Sequence, residues 1–102
     1  MKPQIKEGVK VMLWYRWDAI SGQHIFGVEF TRYATKPFAA SVAFELGRYF
    51  ELPHVMKIEN QPVKINFTRL FKSELLAEFS EMEITDIKTS IAIKMIKKIQ
   101  NG

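Results

Sequence analysis

The chain has 102 residues, 47% of them hydrophobic and 25% charged, with no cysteine and a formal net charge of +4. That length fills one core without room for a catalytic domain beside an accessory one, so residues 1–102 are expected to form a single α+β domain. The missing cysteines exclude disulfides and thiolate metal sites, the hydrophobic fraction argues against wholesale disorder, and no apolar run approaches the roughly 18 residues of a membrane-spanning helix.

Residues 1–7 are polar, contain Pro3 and read as an irregular lead-in. The window from Val9 to Trp17 alternates strictly. Val9, Val11, Leu13, Tyr15 and Trp17 share one parity, and Lys10, Met12, Trp14 and Arg16 share the other. A period of two with unlike faces is the mark of a strand whose apolar side must be covered. The stretch from Asp18 to Gln23 supplies turn chemistry, and a second strand from His24 to Tyr33 places Phe26, Val28 and Phe30 on the same side as the first strand's apolar set. The two strands read as an antiparallel hairpin with a loop longer than the tightest type.

Thr35-Lys-Pro37 is a helix entrance, and Pro53 sets the limit of a helix ending near Phe50. Phe38, Val42, Leu46, Tyr49 and Phe50 form its apolar stripe, flanked by Ala39, Ala43 and Gly47 at a spacing of four. That groove of small residues suits packing on a sheet; a helix-to-helix dimer contact is the alternative. Val55 to Glu59 and Val63 to Thr68 read as a second hairpin around Asn60-Gln-Pro62, with Lys57, Glu59, Lys64, Asn66 and Thr68 on the polar side.

The pattern from Leu70 to Ser80 predicts a helix with Leu70, Phe71, Leu75 and Phe79 inward. The last segment alternates well enough for a strand. Its stripe of Ile84, Ile87, Ile91, Met95 and Ile99, a Thr85 cap, three lysines in the last turns and a terminal Asn101-Gly102 nevertheless select a helix. The expected fold is therefore α+β, with a four-stranded antiparallel sheet from two hairpins in ββα-ββα(α) order and helices on one face.

Enzyme constellations are missing. His24 and His54 sit in different hairpins without metal-ligand spacing; His24 with Asp18 and Ser21 around one turn is weak material for a triad; and the five glycines are too scattered for a phosphate-cradling loop. The expectation is a non-enzyme without a metal site or cofactor.

Surfaces carry more information. Residues 1–16 hold Lys2, Lys6, Lys10 and Arg16 against Glu7, residues 84–102 hold Lys88, Lys94, Lys97 and Lys98 against Asp86, and the stretch between has seven basic and nine acidic residues. Two basic ends suit a polyanion if the fold brings them together; solubility and helix-dipole complementation are the plainer explanation. On the sheet, Lys10, Trp14, Arg16, Tyr33 and Lys64 would form an open basic and aromatic face, on which bases stack while cations hold phosphates. The competing arrangement buries Trp14 and Met12 beneath the C-terminal helix or in a homodimer interface. The segment from Leu75 to Lys98, with Ala77, Met82, Ile87 and Ile91 at its key positions, resembles a helix-turn-helix. The resemblance implies a second helix offering Lys88, Thr89 and Lys94, with Lys97 further along, to a major groove. Glu81 stands where a turn glycine is common, and a helical hairpin that closes the core explains the same pattern.

These observations lead to a small regulatory binding protein in the cytoplasm, there being no leader-like apolar run at the start. Nucleic acid is preferred as its partner over a protein partner or a second copy forming a dimer, and no membrane is involved.

Overall fold

The computed structural model describes residues 10–31, 35–49, 56–80 and 84–101. Five strands and two helices follow in the order β1 (Lys10–Asp18), β2 (Gln23–Thr31), α1 (Lys36–Tyr49), β3 (Met56–Ile58), β4 (Gln61–Asn66), β5 (Glu74–Phe79) and α2 (Ile84–Asn101). The strands form one mixed sheet in the spatial order β3-β4-β2-β1-β5. The α+β class holds, and both helices pack on one face; strand number, pairing and element order differ from the expected four-stranded antiparallel sheet.

The first hairpin forms as its alternation dictates, with Leu13 opposite Val28 and Tyr15 opposite Phe26. Its loop is closed by Gly22, whose φ of 68° favours glycine, and by Asp18, which accepts from the Ser21 hydroxyl at 2.6 Å and from the Ile20 amide at 3.3 Å. The Ser21 hydrogen bond, first among several causes, holds the Asp18 carboxyl below its usual range.

Glu59 and Asn60 both adopt positive φ, so the second hairpin turns in two residues. Pro62 therefore belongs to β4, opposite Lys57, and not to the loop. Helix α1 carries the chain over the sheet before this hairpin, and β4 docks on β2 in parallel, His24 beside Val63 and Phe26 beside Ile65. The strand that α1 delivers is β3, which runs opposite to β2 at the outer edge; its hairpin partner β4 folds back between them and so meets β2 in parallel, which is why the two hairpins do not join antiparallel.

The predicted helix over 70–80 is replaced by β5, antiparallel to β1 at the sheet edge, and by an irregular segment before it that turns at Phe71 and Lys72. Leu13 lies opposite Ala77 but Trp14 lies opposite Leu75, so Leu76 is an extra residue where the register shifts. That bulge breaks the alternation, and Phe71, Leu75 and Phe79 stand at a helix-like spacing of four in a segment of strong helix formers. The unpaired edge of β1 overrides the local propensity.

The main core lies between sheet and helices. Val11, Leu13 and Tyr15 of β1, Phe26 and Val28 of β2, and Val63 and Ile65 of β4 meet Val42 and Leu46 of α1 and the predicted stripe Ile87, Ile91, Met95 and Ile99 of α2. The side chains of Phe38, Tyr49 and Ile84, also expected inward, lie outside the described residues. Ion pairs tie the layers: Lys98 Nζ to Glu74 at 2.8 Å joins α2 to β5, and Lys88 Nζ to Glu45 at 3.5 Å joins α2 to α1. No described helix is long and apolar enough to cross a membrane.

Candidate nucleic-acid interface

The second face of the sheet is not open. Because β4 lies on one side of the β1–β2 hairpin and β5 on the other, residues 67–73 must cross that hairpin, and they do so as a strap over the face opposite the helices. Gly27 marks the crossing: a Cβ there would collide with the Thr68 carbonyl oxygen and come within 2.8 Å of Leu70 Cγ. Leu70 closes a small second core with Trp14, Ile25 and Met12.

Trp14 is consequently 7% exposed. Its indole Nε1–H donates to Glu29 Oε1 at 3.1 Å, and the Arg69 guanidinium lies over its ring at 4.4 Å. The open-face expectation for Trp14 is thus corrected. Neither the C-terminal helix nor a second copy is the cover; the chain's own strap is.

A hydrogen bond ties the strap to the sheet and another closes it on itself. Arg16 Nη1 donates to the Phe71 carbonyl at 3.0 Å, and Ser73 Oγ donates to the Leu70 carbonyl at 2.7 Å. Since Leu70 turns inward, its neighbours turn out. Phe71 is 76% and Phe67 40% exposed, and Lys72, at a φ of 52°, sets its ammonium 5.5 Å from the Phe71 ring. Phe71, expected inside a helix, and Trp14, expected on the open face, have exchanged roles.

Strand parity and the strap together collect charge on this side. Among the described residues the cations are Lys10 and Arg16 of β1, Lys57 of β3, Lys64 of β4, and Arg69 and Lys72 of the strap, with the carboxylates Asp18, Glu29 and Glu78 on the same side and Glu59 exposed in the turn after Ile58. Glu29 is engaged with Trp14 and Asp18 with its own loop, which leaves Glu78 on β5 as the acid at the far edge.

The other expected residues do not join them. Lys88, Lys94 and Lys97 belong to α2, on the opposite side of the sheet, so the two basic sets form separate surfaces. Tyr33 lies outside the described residues. With Leu75 to Phe79 in a strand, the helix-turn-helix has no first helix, and that expectation is corrected. The signal for the strap was present in the sequence as Gly27, a glycine in the middle of a strand, where close approach of another backbone is a standing reason for it.

On the helical side, His24 is buried and bonded at both ring nitrogens. Nδ1 lies 2.9 Å from the Tyr15 hydroxyl, and Nε2 meets Gln61 Oε1. With the amide oxygen accepting from Nε2–H, Nδ1 accepts from the phenol. Ser21 and Asp18 bond each other instead, so the three residues of the first turn form no relay. Burial raises the Tyr15 phenol above its ordinary range; the Lys98 ammonium, 4.9 Å from its ring centre, opposes the rise and Glu74 adds to it. The hydrogen bond to Glu74 in turn raises the Lys98 ammonium. Among the described residues no three His, Cys, Asp or Glu side chains are grouped to hold a metal ion.

No protein-family model, no curated protein and no solved structure matches this chain.

Proposed function

We propose that this chain is a non-enzymatic binding protein that takes up nucleic acid on the strap side of its sheet. The observation that supports the reading best is the grouping there of Arg16, Lys64, Arg69 and Lys72 around two outward rings, with Lys10 and Lys57 at the margins. Cations fix the phosphates and release their counterions, so affinity falls steeply as salt rises. The lysines of α2 are a separate basic surface and a weaker candidate, because Lys88 and Lys98 already face Glu45 and Glu74.

Titrating a fluorescent oligonucleotide at several salt concentrations tests this. Lys64→Glu with Lys72→Glu should cut affinity at least tenfold and flatten the salt slope by about two, whereas Lys94→Glu with Lys97→Glu should leave the slope nearly unchanged. Absence of binding at low salt ends the reading.

A second reading, a protein-interaction module that self-associates, draws on the helical layer, where Phe44 of α1 is 64% and Ile93 of α2 47% exposed. Light scattering decides it: a monomer at all concentrations removes self-assembly.

A further inference from the structure

We infer that the strap side is built for single-stranded nucleic acid, with Phe71 as the stacking platform for a base and Phe67 as a second one. The inference rests on the nucleic-acid reading above and adds to it the strandedness of the ligand and the residues that sense it.

Three features carry it. The first is the shape of the element. Major-groove readers insert a helix or a two-stranded ribbon, but the strap is one short irregular segment, neither helix nor ribbon, anchored with Thr68 and Leu70 against Gly27 and the Phe71 carbonyl bonded to Arg16. It has no projecting edge to enter a groove. The second is the chemistry of its outward groups. In a duplex the faces of the bases are covered by their neighbours, and a ring reaches them only by wedging steps apart at a cost of a few kcal/mol. A single strand leaves those faces free, and exposed rings on a fixed backbone receive them without reorganisation.

The third is the order of the groups along the strap: Phe67, Arg69, Phe71, Lys72, ring and cation interleaved, with Arg16 and Lys64 beside them on the sheet. Four residues of chain put the Cα atoms of Phe67 and Phe71 at most about 14 Å apart. At about 3.4 Å per nucleotide of a stacked strand, that is a spacing of about four nucleotides or fewer. Arg69 lies between the two rings in sequence and Lys72 follows Phe71, so cations are at hand for the intervening phosphates. Flat rings flanked by guanidinium groups favour stacked bases over the acyl chains of an anionic membrane surface, which aliphatic groups would suit better.

The test is anisotropy at one salt concentration with a labelled 12-nucleotide DNA of mixed sequence, its RNA counterpart and its blunt duplex, together with vesicles of phosphatidylcholine and phosphatidylserine. At least one single strand should bind about tenfold or more tighter than the duplex. Phe71→Ala should weaken single-strand binding about fivefold to a hundredfold and leave duplex binding unchanged, with Phe67→Ala acting in the same direction. Phe71→Trp should retain single-strand affinity. Equal or tighter duplex binding, or indifference to both alanine variants, overturns the stacking platform and leaves nucleic-acid binding standing. Binding to vesicles alone, or to none of the four, overturns both.

Discussion

The two faces of this sheet are built from the same strands and closed in opposite ways. The face toward α1 and α2 is sealed by two helices over a continuous core of fourteen buried residues among those described, with Phe26, Leu13, Ile87 and Ile91 fully inaccessible. The other face is closed by a single strap whose Leu70 is buried against Trp14 and Ile25. At roughly 1.5 to 3 kcal/mol for each large apolar side chain taken out of water, most of the hydrophobic stabilisation comes from the helical side. The strap side adds a small, local share and keeps its charges and rings in water. On the proposed function, stability and recognition are divided between the faces, and perturbing one should have little effect on the other.

The largest effect expected is at the centre of the helical core. Phe26→Ala removes a fully buried ring and should cost about 3 to 5 kcal/mol, read as a lower urea midpoint. A smaller loss there than for Leu70→Ala would invert the ranking of the two faces.

Next in size is the strap itself. Gly27→Val places a branched side chain against the Thr68 carbonyl and Leu70; backbone cannot swing aside as a flexible side chain does, so the strap must lift. A cost of about 1 to 3 kcal/mol is typical of such overpacking. In a Trp17→Phe background the emission reports Trp14 alone, and it should shift to the red and become accessible to acrylamide. An unchanged spectrum would mean that the strap does not seal Trp14, and the distinction between the faces would fail.

What could be read in the sequence follows from where the determining forces lie. The first hairpin is local: its alternation, its Asp-Ser-Gly loop and its register all sit within 22 residues, Lys10 to Thr31. Helix α2 is legible for the same reason, since Ile87, Ile91, Met95 and Ile99 mark one face at a spacing of four. β5 is not, because the extra residue Leu76 destroys the alternation and glutamate, leucine and alanine favour helix in isolation. The parallel join of β2 and β4 is decided by which strand of the second hairpin lies inward, β4 beside β2 with β3 outside it, a property of the path and not of either strand. The candidate site fell between these cases. Arg16 and Lys64 were visible as the polar parity of their strands, but which ring is wet depended on the strap's route, and only Gly27 hinted at it. Topology moved Trp14 inside and Phe71 outside.

The smallest effect expected concerns protons, and it belongs to the helical face alone. Tyr15 is held protonated above its usual range chiefly by burial, and the Lys98 ammonium is raised by its bond to Glu74. Both groups thus keep a proton in the folded state after the unfolded chain has released it. Stability from them is complete below the unfolded values, near pH 10 for each, and is lost as pH rises through the folded ones. Glu74 is more than half exposed, so solvent screens the Lys98 share and Tyr15 carries more of the slope. Urea midpoints between pH 8 and 11 should therefore fall, and Tyr15→Phe should flatten the fall while lowering the plateau through the lost bond to His24. Gly27→Val should lower the plateau without flattening anything. Its lesion lies on the side of the sheet facing away from Tyr15 and Lys98, so an equal change of slope in both variants would show that the two faces do not respond independently.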